Sequence, residues 1–370
     1  MLLTNPGPES SMPQAIAPSV TAAPSVSTAP GGGRAAPGSE FAPLLRKVKE
    51  RGLLERRKGW YTRMIAGNLL ALALVVTGLV LAGDTWWTLP LALPLAILSA
   101  RTAYIGHDAG HAQIAVGRRA NRTIGLLHGN LLLGMSYAWW NDKHNRHHAN
   151  PNHIEKDPDV GVGALVWTAE QAAVRQGFAR WVTRHQALLF FPMLLLEGIA
   201  LKVNSVRDLW RQSPRERAAE GVLLALHIAG YATLLLTCLP VGKAIAFALL
   251  HQALFGLHLG MAFAPNHKGM EMPDPAGERW GHLRRQVLTS RNVRGGPVTD
   301  WLLGGLNYQI EHHLFPNLPR PHLRLVQPLV REHCRGLGIP YAETGLLDSY
   351  RQGLGHMHTV GAAARPDATR

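Results

Sequence analysis

The chain has little cysteine: only Cys238 and Cys334 occur among its 370 residues, and they lie far apart in different surroundings. Two isolated cysteines provide neither a disulfide framework nor the paired ligands of a zinc ribbon. The sequence also lacks a cysteine cluster that would hold an iron–sulfur centre and a haem-binding His-Pro-Gly-Gly motif. We therefore find no built-in electron carrier in the sequence.

Acidic residues are scarce relative to basic ones: 24 Asp and Glu stand against 38 Lys and Arg, giving a formal net charge of +14. Such an excess suits a nucleic acid, an anionic membrane surface or an acidic partner. No nucleic-acid-binding motif accompanies it, and much of the basic charge lies next to apolar segments. We therefore predict positioning at a lipid bilayer and no nucleic-acid partner.

Long apolar segments occupy the middle of the chain, although the mean hydropathy of the whole is only −0.01. A helix needs about 20 apolar residues to cross a bilayer. The segments of about that length are 64–82, 89–105, 221–239 and 244–264. Segment 186–203 is also apolar, but it contains Pro192 and Glu197, and we predict that it is interfacial or half-inserted.

Basic residues flank the apolar segments on one predicted side of the membrane, which the positive-inside rule makes the cytoplasmic side. Arg46 to Arg63 is expected to form an interfacial helix, with Trp60 and Tyr61 at the level of the lipid headgroups. The predicted fold is an all-α integral membrane protein with four transmembrane helices in two hairpins, interfacial helices and a cytoplasmic histidine-rich cap that holds a two-metal site. The N-terminus, the histidine groups and the C-terminus are all expected in the cytoplasm.

The domain organisation predicted from composition has three parts. Residues 1–40 are rich in Pro, Ala, Gly and Ser and are expected to be a disordered tail. Residues 41–345 are expected to form the membrane domain, and residues 346–370 a flexible tail.

Histidine is concentrated in three short groups. In the central group the imidazoles stand at positions i, i+3 and i+4, which share one face of a helix. In chain order the groups are His107 and His111; His144, His147 and His148; and His312 and His313. An isolated histidine is more often a hydrogen-bonded core or surface residue than a ligand. Seven on one predicted side of a membrane are too many for one tetrahedral zinc ion and favour two metal ions.

Histidine ligands alone do not determine which metal is bound or which reaction is catalysed. Imidazole suits iron, copper, nickel and zinc. A zinc protease would carry glutamate directly after the first histidine, where this chain has Asp108. A redox metal pair beside an apolar compartment favours oxidation of a lipid-like substrate. A membrane metal-binding carrier is the alternative of another class, but it would place polar residues in mid-span and show internal repeats.

The three groups, HDAGH at 107–111, HNRHH at 144–148 and QIEHH at 309–313, resemble the histidine boxes of the membrane fatty acid desaturases. The resemblance extends over roughly residues 60–335. It includes the neighbouring stretches Asn150-Pro151-Asn152, Asp157-Pro158-Asp159 and Asn307-Tyr308 before the third box and Leu314-Phe315-Pro316 after it. A third box that begins with glutamine is typical of the front-end desaturases and of a related acyl-CoA and acyl-lipid branch.

The resemblance implies a non-haem centre of two iron ions that uses dioxygen to insert a cis double bond into a fatty acyl chain. It implies that the seven box histidines are iron ligands, and that a further histidine near the end of the last span, for which we choose His267, is another. Gln309 and His258 are possible additional metal or water-mediated ligands. Asp108, Asp157 and Asp159 are possible partners that orient the ligand rings. No catalytic residue is expected beyond these.

The resemblance also implies partners. The acyl substrate would be carried as an acyl-CoA, on acyl carrier protein or as an acyl lipid. Electrons would come from an external ferredoxin or b-type cytochrome with its reductase. The alternative activity for the same centre is hydroxylation, epoxidation or ketolation of a lipid or terpenoid.

Overall fold

The computed structural model describes residues 40–273, 277 and 280–364, and these residues are mostly helical. The disordered tail predicted for residues 1–40 lies outside this range, except for Glu40. The α-helices are α1 (Ala42–Glu50), α2 (Lys58–Ala82), α3 (Ala92–Gly110), α4 (Arg118–Leu126), α5 (Tyr137–Ala149), α6 (Ala169–Ala173), α7 (Gly177–Arg184), α8 (Gln186–Asp208), α9 (Pro214–Cys238), α10 (Val241–His267), α11 (His282–Leu288), α12 (Pro297–Leu302), α13 (Gln309–Leu314), α14 (Leu323–Gly336) and α15 (Leu346–Ala362).

Shorter elements connect these helices. Three 3₁₀ segments and one π-helix occupy Trp86–Leu91, Leu127–Leu133, Leu209–Arg211 and Arg320–His322, of which Leu127–Leu133 is the π-helix. Two short strands, β1 (Asn292–Arg294) and β2 (Glu343–Gly345), pair in parallel, with Asn292 opposite Glu343. This small sheet ties the segment before α13 to the segment after α14.

Five helical segments among the described residues are long and apolar enough to cross a membrane. They are Lys58–Ala82, Trp86–Gly110, Gln186–Arg211, Pro214–Cys238 and Val241–His267. Large apolar side chains project from them into the surroundings, and Leu74 and Leu188, for example, are 64% and 78% exposed. Such surfaces suit contact with lipid rather than with water.

The segment that we predicted to be interfacial or half-inserted, 186–203, is the third of these in chain order. It forms most of the 23-residue helix α8, which continues through Pro192 without a break. A Cβ atom on Gly198 would lie 2.4 Å from the carbonyl oxygen of Gln252, and one on Gly256 would lie 2.5 Å from the backbone nitrogen of Gly198. Glycine at both positions lets α8 and α10 pack backbone to backbone, as spanning helices often do. The prediction of four spans in two hairpins is therefore not confirmed.

The flexible tail predicted from residue 346 is wrong for residues 346–362, which form α15. The Ser349 hydroxyl donates to the carbonyl oxygen of Pro265 at 2.5 Å, and the Tyr350 hydroxyl donates to that of Met261 at 2.5 Å. Met357 is buried against Trp167 and Phe190. One face of the segment therefore packs on the end of α10 and on α8, a contact that composition does not reveal.

A separate apolar cluster holds the third histidine box. Leu44 of α1, Leu283 of α11, Ile310 and Leu314 of α13 and Val330 of α14 are all buried and pack together. The six-residue helix α13 is too short to be stable alone. Its position is therefore set by this cluster, with the histidines on its other side.

Candidate metal centre

The histidines of all three boxes meet because the ends of two long helices adjoin two short ones. His107 stands in the last turn of α3 and His267 is the last residue of α10. The second box lies on α5 and the third box on α13. These elements come from distant parts of the sequence, so only the tertiary fold brings them together.

The first group of converging rings consists of His107, His111, His144 and His312. One nitrogen from each lies within 4.8 Å of those of the others, a spacing that can hold one metal ion. The Nε2 atoms of His107 and His312 are 3.1 Å apart. The ring centroids are 4.7 Å apart for His107 and His312 and 4.9 Å apart for His111 and His144.

The second group consists of His147, His267 and His313, whose candidate ligand nitrogens also lie within 4.8 Å of one another. The Nε2 atoms of His267 and His313 are 3.1 Å apart. His148 lies between the two groups: its ring stacks on His313 with centroids 4.1 Å apart, and its Nε2 is 3.0 Å from that of His144.

The donor set fits metal ions better than it fits a hydrogen-bonded histidine core. Among the described residues, His111 Nε2 and His148 Nδ1 are buried without a hydrogen-bond partner. Burial, followed by repulsion from neighbouring histidines, holds the pKa of His111, His144 and His312 well below the usual value. These rings are therefore neutral at pH 7, the state in which imidazole binds a metal.

Asp108 holds the first histidine of the first box. The Nδ1 atom of His107 lies 3.0 Å from Asp108 Oδ1. The other Asp108 oxygen accepts from the Tyr61 hydroxyl at 3.0 Å and pairs with the Arg320 guanidinium at 2.6 Å. Tyr61 is 1% exposed, so its predicted position at the lipid headgroups is wrong. The hydroxyl has a partner in Asp108, which permits its burial.

The two aspartates of the Asp157-Pro158-Asp159 stretch lie beside the Nδ1 atom of His147. Its Nδ1 lies 2.9 Å from Asp157 Oδ2 and 3.5 Å from Asp159 Oδ2. Burial raises the pKa of Asp157, but the hydrogen bond and charge interaction with His147 outweigh burial, so that its pKa is lowered. Asp159 is in turn paired with Lys143. All three predicted aspartates thus lie beside a ring of the histidine boxes.

Several groups that hold the rings were not predicted. The side-chain oxygen of Gln286 is 3.0 Å from His313 Nδ1, and the carbonyl oxygen of Thr289 is 2.9 Å from His267 Nδ1. The amide of Asn152 donates to that same Thr289 oxygen at 3.3 Å. Gln286 and Thr289 stand in an arginine-rich stretch without a motif, so the sequence carries no signal for them.

The two possible additional ligands have different surroundings. The side-chain nitrogen of Gln309 lies 2.9 Å from His267 Nε2, at the edge of the second group. The Nε2 of His258 instead lies 2.8 Å from the carbonyl oxygen of Leu302, and the residue belongs to neither group. The structure therefore does not bring His258 to the centre.

Glu311 follows Gln309 on α13 but faces away from the histidines. It is fully buried, and it accepts hydrogen bonds of 2.7 Å from Asn292 and from the hydroxyl of Tyr341. Burial raises its pKa to about 7, although both donors oppose the shift. Glu311 anchors the third box to the small sheet.

A cavity of about 300 Å³ opens onto the histidines. Its wall includes four of them, His107, His144, His147 and His267, together with Gln309. The remaining wall is mainly apolar and comes from α3, α5, α8 and α10 and from the segment before α5. It includes Leu133, Trp140, Phe190, Leu201, Leu259 and Phe263. This mainly apolar lining suits a long apolar chain with one carbon held beside the histidines.

We expect the metal-free protein to lose stability as the pH falls below about 6.5. Unfolded histidine binds a proton near that pH, whereas the pKa of folded His111, His144, His148, His312 and His313 is lowered by burial. The unfolded state then binds more protons, so each ring weakens folding by up to about 1.4 kcal/mol per pH unit.

Thermal unfolding of chelator-treated protein in detergent between pH 8 and pH 5.5 measures this loss. The His148→Asn variant, which has one titrating ring fewer, should show a shallower fall. An unfolding temperature that stays constant over this range would contradict the burial of neutral rings.

Known proteins are similar to this chain over most of its length. The family model described as "Fatty acid desaturase" matches residues 84–345. Over 341 residues the chain is 27% identical to a Delta(8)-fatty-acid desaturase of Helianthus annuus, covering 88% of this chain and 74% of the relative.

Two further relatives are similar over comparable lengths. A Delta(6)-fatty-acid desaturase of Caenorhabditis elegans is 29% identical over 85% of this chain and 73% of its own length. A Delta(8)-fatty-acid desaturase of Euglena gracilis is 30% identical over 82% of this chain and 74% of its own length. With its apolar helices and clustered histidines, the chain belongs to the membrane fatty acid desaturase family and is an enzyme of that type.

Proposed function

We propose that this enzyme inserts a cis double bond into a fatty acyl chain at a non-haem centre of two iron ions, with dioxygen as co-substrate. The observation that carries the proposal is the wall of the apolar cavity, where His107, His144, His147 and His267 border the space that would hold the chain. The names of the relatives, which include Delta(6) and Delta(8) desaturases, support it.

The proposed reaction is R–CH2–CH2–R′ + O2 + 2 H⁺ + 2 e⁻ → R–CH=CH–R′ + 2 H2O. Two iron ions would supply the activation of dioxygen that removal of hydrogen from an unactivated methylene requires. The electrons come from outside the chain, since the sequence contains no haem or iron–sulfur motif.

We assign the ligands to two sets. His107, His111, His144 and His312 would hold one ion, and His147, His267 and His313 the other. His148, which lies between the sets, is assigned as the eighth ligand. We assign Gln309, at the edge of the second set, to a water-mediated contact and leave His258 out.

The protein's own contribution is to orient the ligands and to position the substrate. Asp108 and Asp157 accept from the outward nitrogens of His107 and His147, which fixes the rings and makes them stronger ligands. The apolar cavity walls hold the acyl chain and keep bulk water from the reacting carbons.

We further propose that the histidine boxes, both termini and the short helices face the cytoplasm. The basic segments beside the apolar helices support this orientation through the positive-inside rule. The catalytic domain would begin near residue 41 and, because α15 packs on α8 and α10, extend beyond the predicted end at residue 345.

Metal analysis together with product mass tests this function. We expect about two iron atoms per purified chain and, with an acyl lipid or acyl-CoA, dioxygen and a reductant, a product two hydrogens lighter than the substrate. A product one oxygen heavier would retain the metal centre but replace desaturation with hydroxylation or epoxidation. Iron-loaded protein that consumes no dioxygen with any acyl substrate would overturn the proposal.

A further inference from the structure

A basic depression lies on the surface beside the small sheet. It is lined by Arg294, Arg331, Arg335, Ile339, Tyr341 and Glu343, and we call it the arginine depression. Arg294 and Arg335 are exposed, and neither forms a salt bridge with the described residues. Arg331 pairs with Glu343, the one carboxylate among the six lining residues. Glu332, whose charge also acts on Arg335, is itself paired with Lys47. The electrostatic potential at the depression is therefore positive, which suits an acidic partner.

The floor of the depression connects directly to the helix of the third histidine box. The hydroxyl of Tyr341 donates to Glu311 at 2.7 Å, and Glu311 is joined by one peptide bond to His312. Asn292 donates to Glu311 at 2.7 Å, and its side-chain oxygen accepts from the backbone nitrogen of Ile310 at 2.9 Å. A protein docked on Tyr341 is therefore separated from a histidine of the first group by one buried side chain and a peptide bond.

The depression is separate from the acyl cavity, with which it shares no lining residue. α13 divides the two, because Gln309 faces the cavity while Glu311 faces Tyr341. A partner bound at the depression leaves the cavity free for the acyl chain. This placement argues against the anionic head of the acyl carrier as the occupant, since its chain would have to enter the cavity at the same time.

We propose that the arginine depression is the docking surface for an acidic one-electron carrier protein. The inference rests on the proposed function, which requires two electrons per double bond from outside the chain. Each reduced carrier molecule gives up one electron, so two successive encounters supply the two electrons that one double bond requires. Exposed opposite charges of this kind steer encounters and make association depend strongly on salt.

Binding measurements test the docking surface without relying on turnover. The probes are two purified carriers, the soluble haem domain of an acidic b-type cytochrome and a plant-type ferredoxin, each titrated onto iron-loaded protein in nanodiscs. We expect at least one carrier to bind the wild type, more weakly as salt rises from about 50 to about 300 mM. The double variant Arg294→Glu/Arg335→Glu should bind it at least about tenfold more weakly.

The matched control is Arg119→Glu, which reverses an exposed charge in the first turn of α4, away from the depression. An acidic residue is favourable at a helix N-terminus, so the fold should be unaffected. Its affinity for the carrier should stay within about twofold of the wild-type value. Equal affinities for the wild type and the double variant, or no binding of either carrier to the wild type, would overturn the proposal.

An activity assay with a reduced dye as electron donor distinguishes failure of the docking proposal from failure of the proposed function. When the dye replaces the protein carrier, the wild type and the double variant should form equal amounts of product, because the dye needs no docking surface. If the double variant fails with the dye as well, its defect lies in the metal centre, and the docking role is overturned. If the wild type desaturates nothing with the dye, the proposed function fails, whereas the binding data still decide whether a carrier docks.

Discussion

Replacing His147 with alanine is expected to abolish the desaturated product and to remove at least one of the two proposed iron ions. His147 is 4% exposed, belongs to the second histidine group and is held by Asp157 at 2.9 Å. Loss of a group that merely orients a ligand typically costs about 10–100-fold in affinity or activity, and loss of the ligand itself should cost more. Activity should therefore fall by more than about 100-fold, measured as product per purified enzyme.

The control for this variant is His358→Ala, which removes an exposed histidine of α15 that lies outside both groups. It should retain two irons and wild-type product. The His147→Ala protein should still elute as folded protein in detergent, because the ring contacts Asp157 and neighbouring histidines and does not belong to the apolar core. Wild-type iron content in His147→Ala would contradict the assignment of this residue as a ligand.

Replacing Arg320 with methionine is expected to destabilise the protein by about 3–5 kcal/mol, because it leaves a buried carboxylate without its counter-charge. The Arg320 guanidinium pairs with Asp108 at 2.6 Å, and the two side chains are 9% and 2% exposed. It also donates to the carbonyl oxygen of Tyr104 at 2.8 Å. The loss should appear as a lower thermal unfolding temperature of the detergent-solubilised protein.

A double variant tests the charge argument. Arg320→Met combined with Asp108→Asn removes both charges and should recover part of the lost stability, since no unpaired ion remains buried. Asp108→Asn alone should also destabilise the protein, because it leaves the buried Arg320 guanidinium unpaired. It should in addition loosen His107 and lower activity. If the double variant is no more stable than Arg320→Met alone, packing of the arginine stem, and not its charge, is the source of the effect.

The histidines within each box could be predicted to lie together because they are close in sequence. Spacing of one helical turn places His107 near His111 and His144 near His148 on one face whatever the rest of the chain does. Asp108 could be predicted as a partner of His107 for the same reason, because the two residues are adjacent in sequence. The Asp157-Pro158-Asp159 stretch was identified only through resemblance, and the structure puts Asp157 beside His147.

The supporting residues could not be predicted because long-range packing selects them. Gln286 reaches His313 only because α11 packs against α13 in the cluster that includes Leu283 and Ile310. Tyr61 looked like an interfacial aromatic residue because its partner, Asp108, is distant in sequence. Neither contact has a signature in composition or periodicity.

The fold was predicted best where apolar segments were long and uninterrupted. The four predicted spans all fall on long helices. Segment 186–203, which we predicted to be interfacial or half-inserted because it contains Pro192 and Glu197, also lies in a helix long and apolar enough to cross a membrane. In the structure Glu197 lines the cavity, and the helix continues past both residues. α15 was missed because its small and polar residues resemble a tail until α8 and α10 are present to pack against it.

The most direct measurement is the fatty acid profile, by gas chromatography–mass spectrometry, of a host that expresses this chain with a suitable reductase and carrier. The account predicts a new acyl species two hydrogens lighter than a host lipid, present with the wild type and with His358→Ala and absent with His147→Ala. A lipid one oxygen heavier, or an unchanged profile from protein that contains two irons, would contradict it.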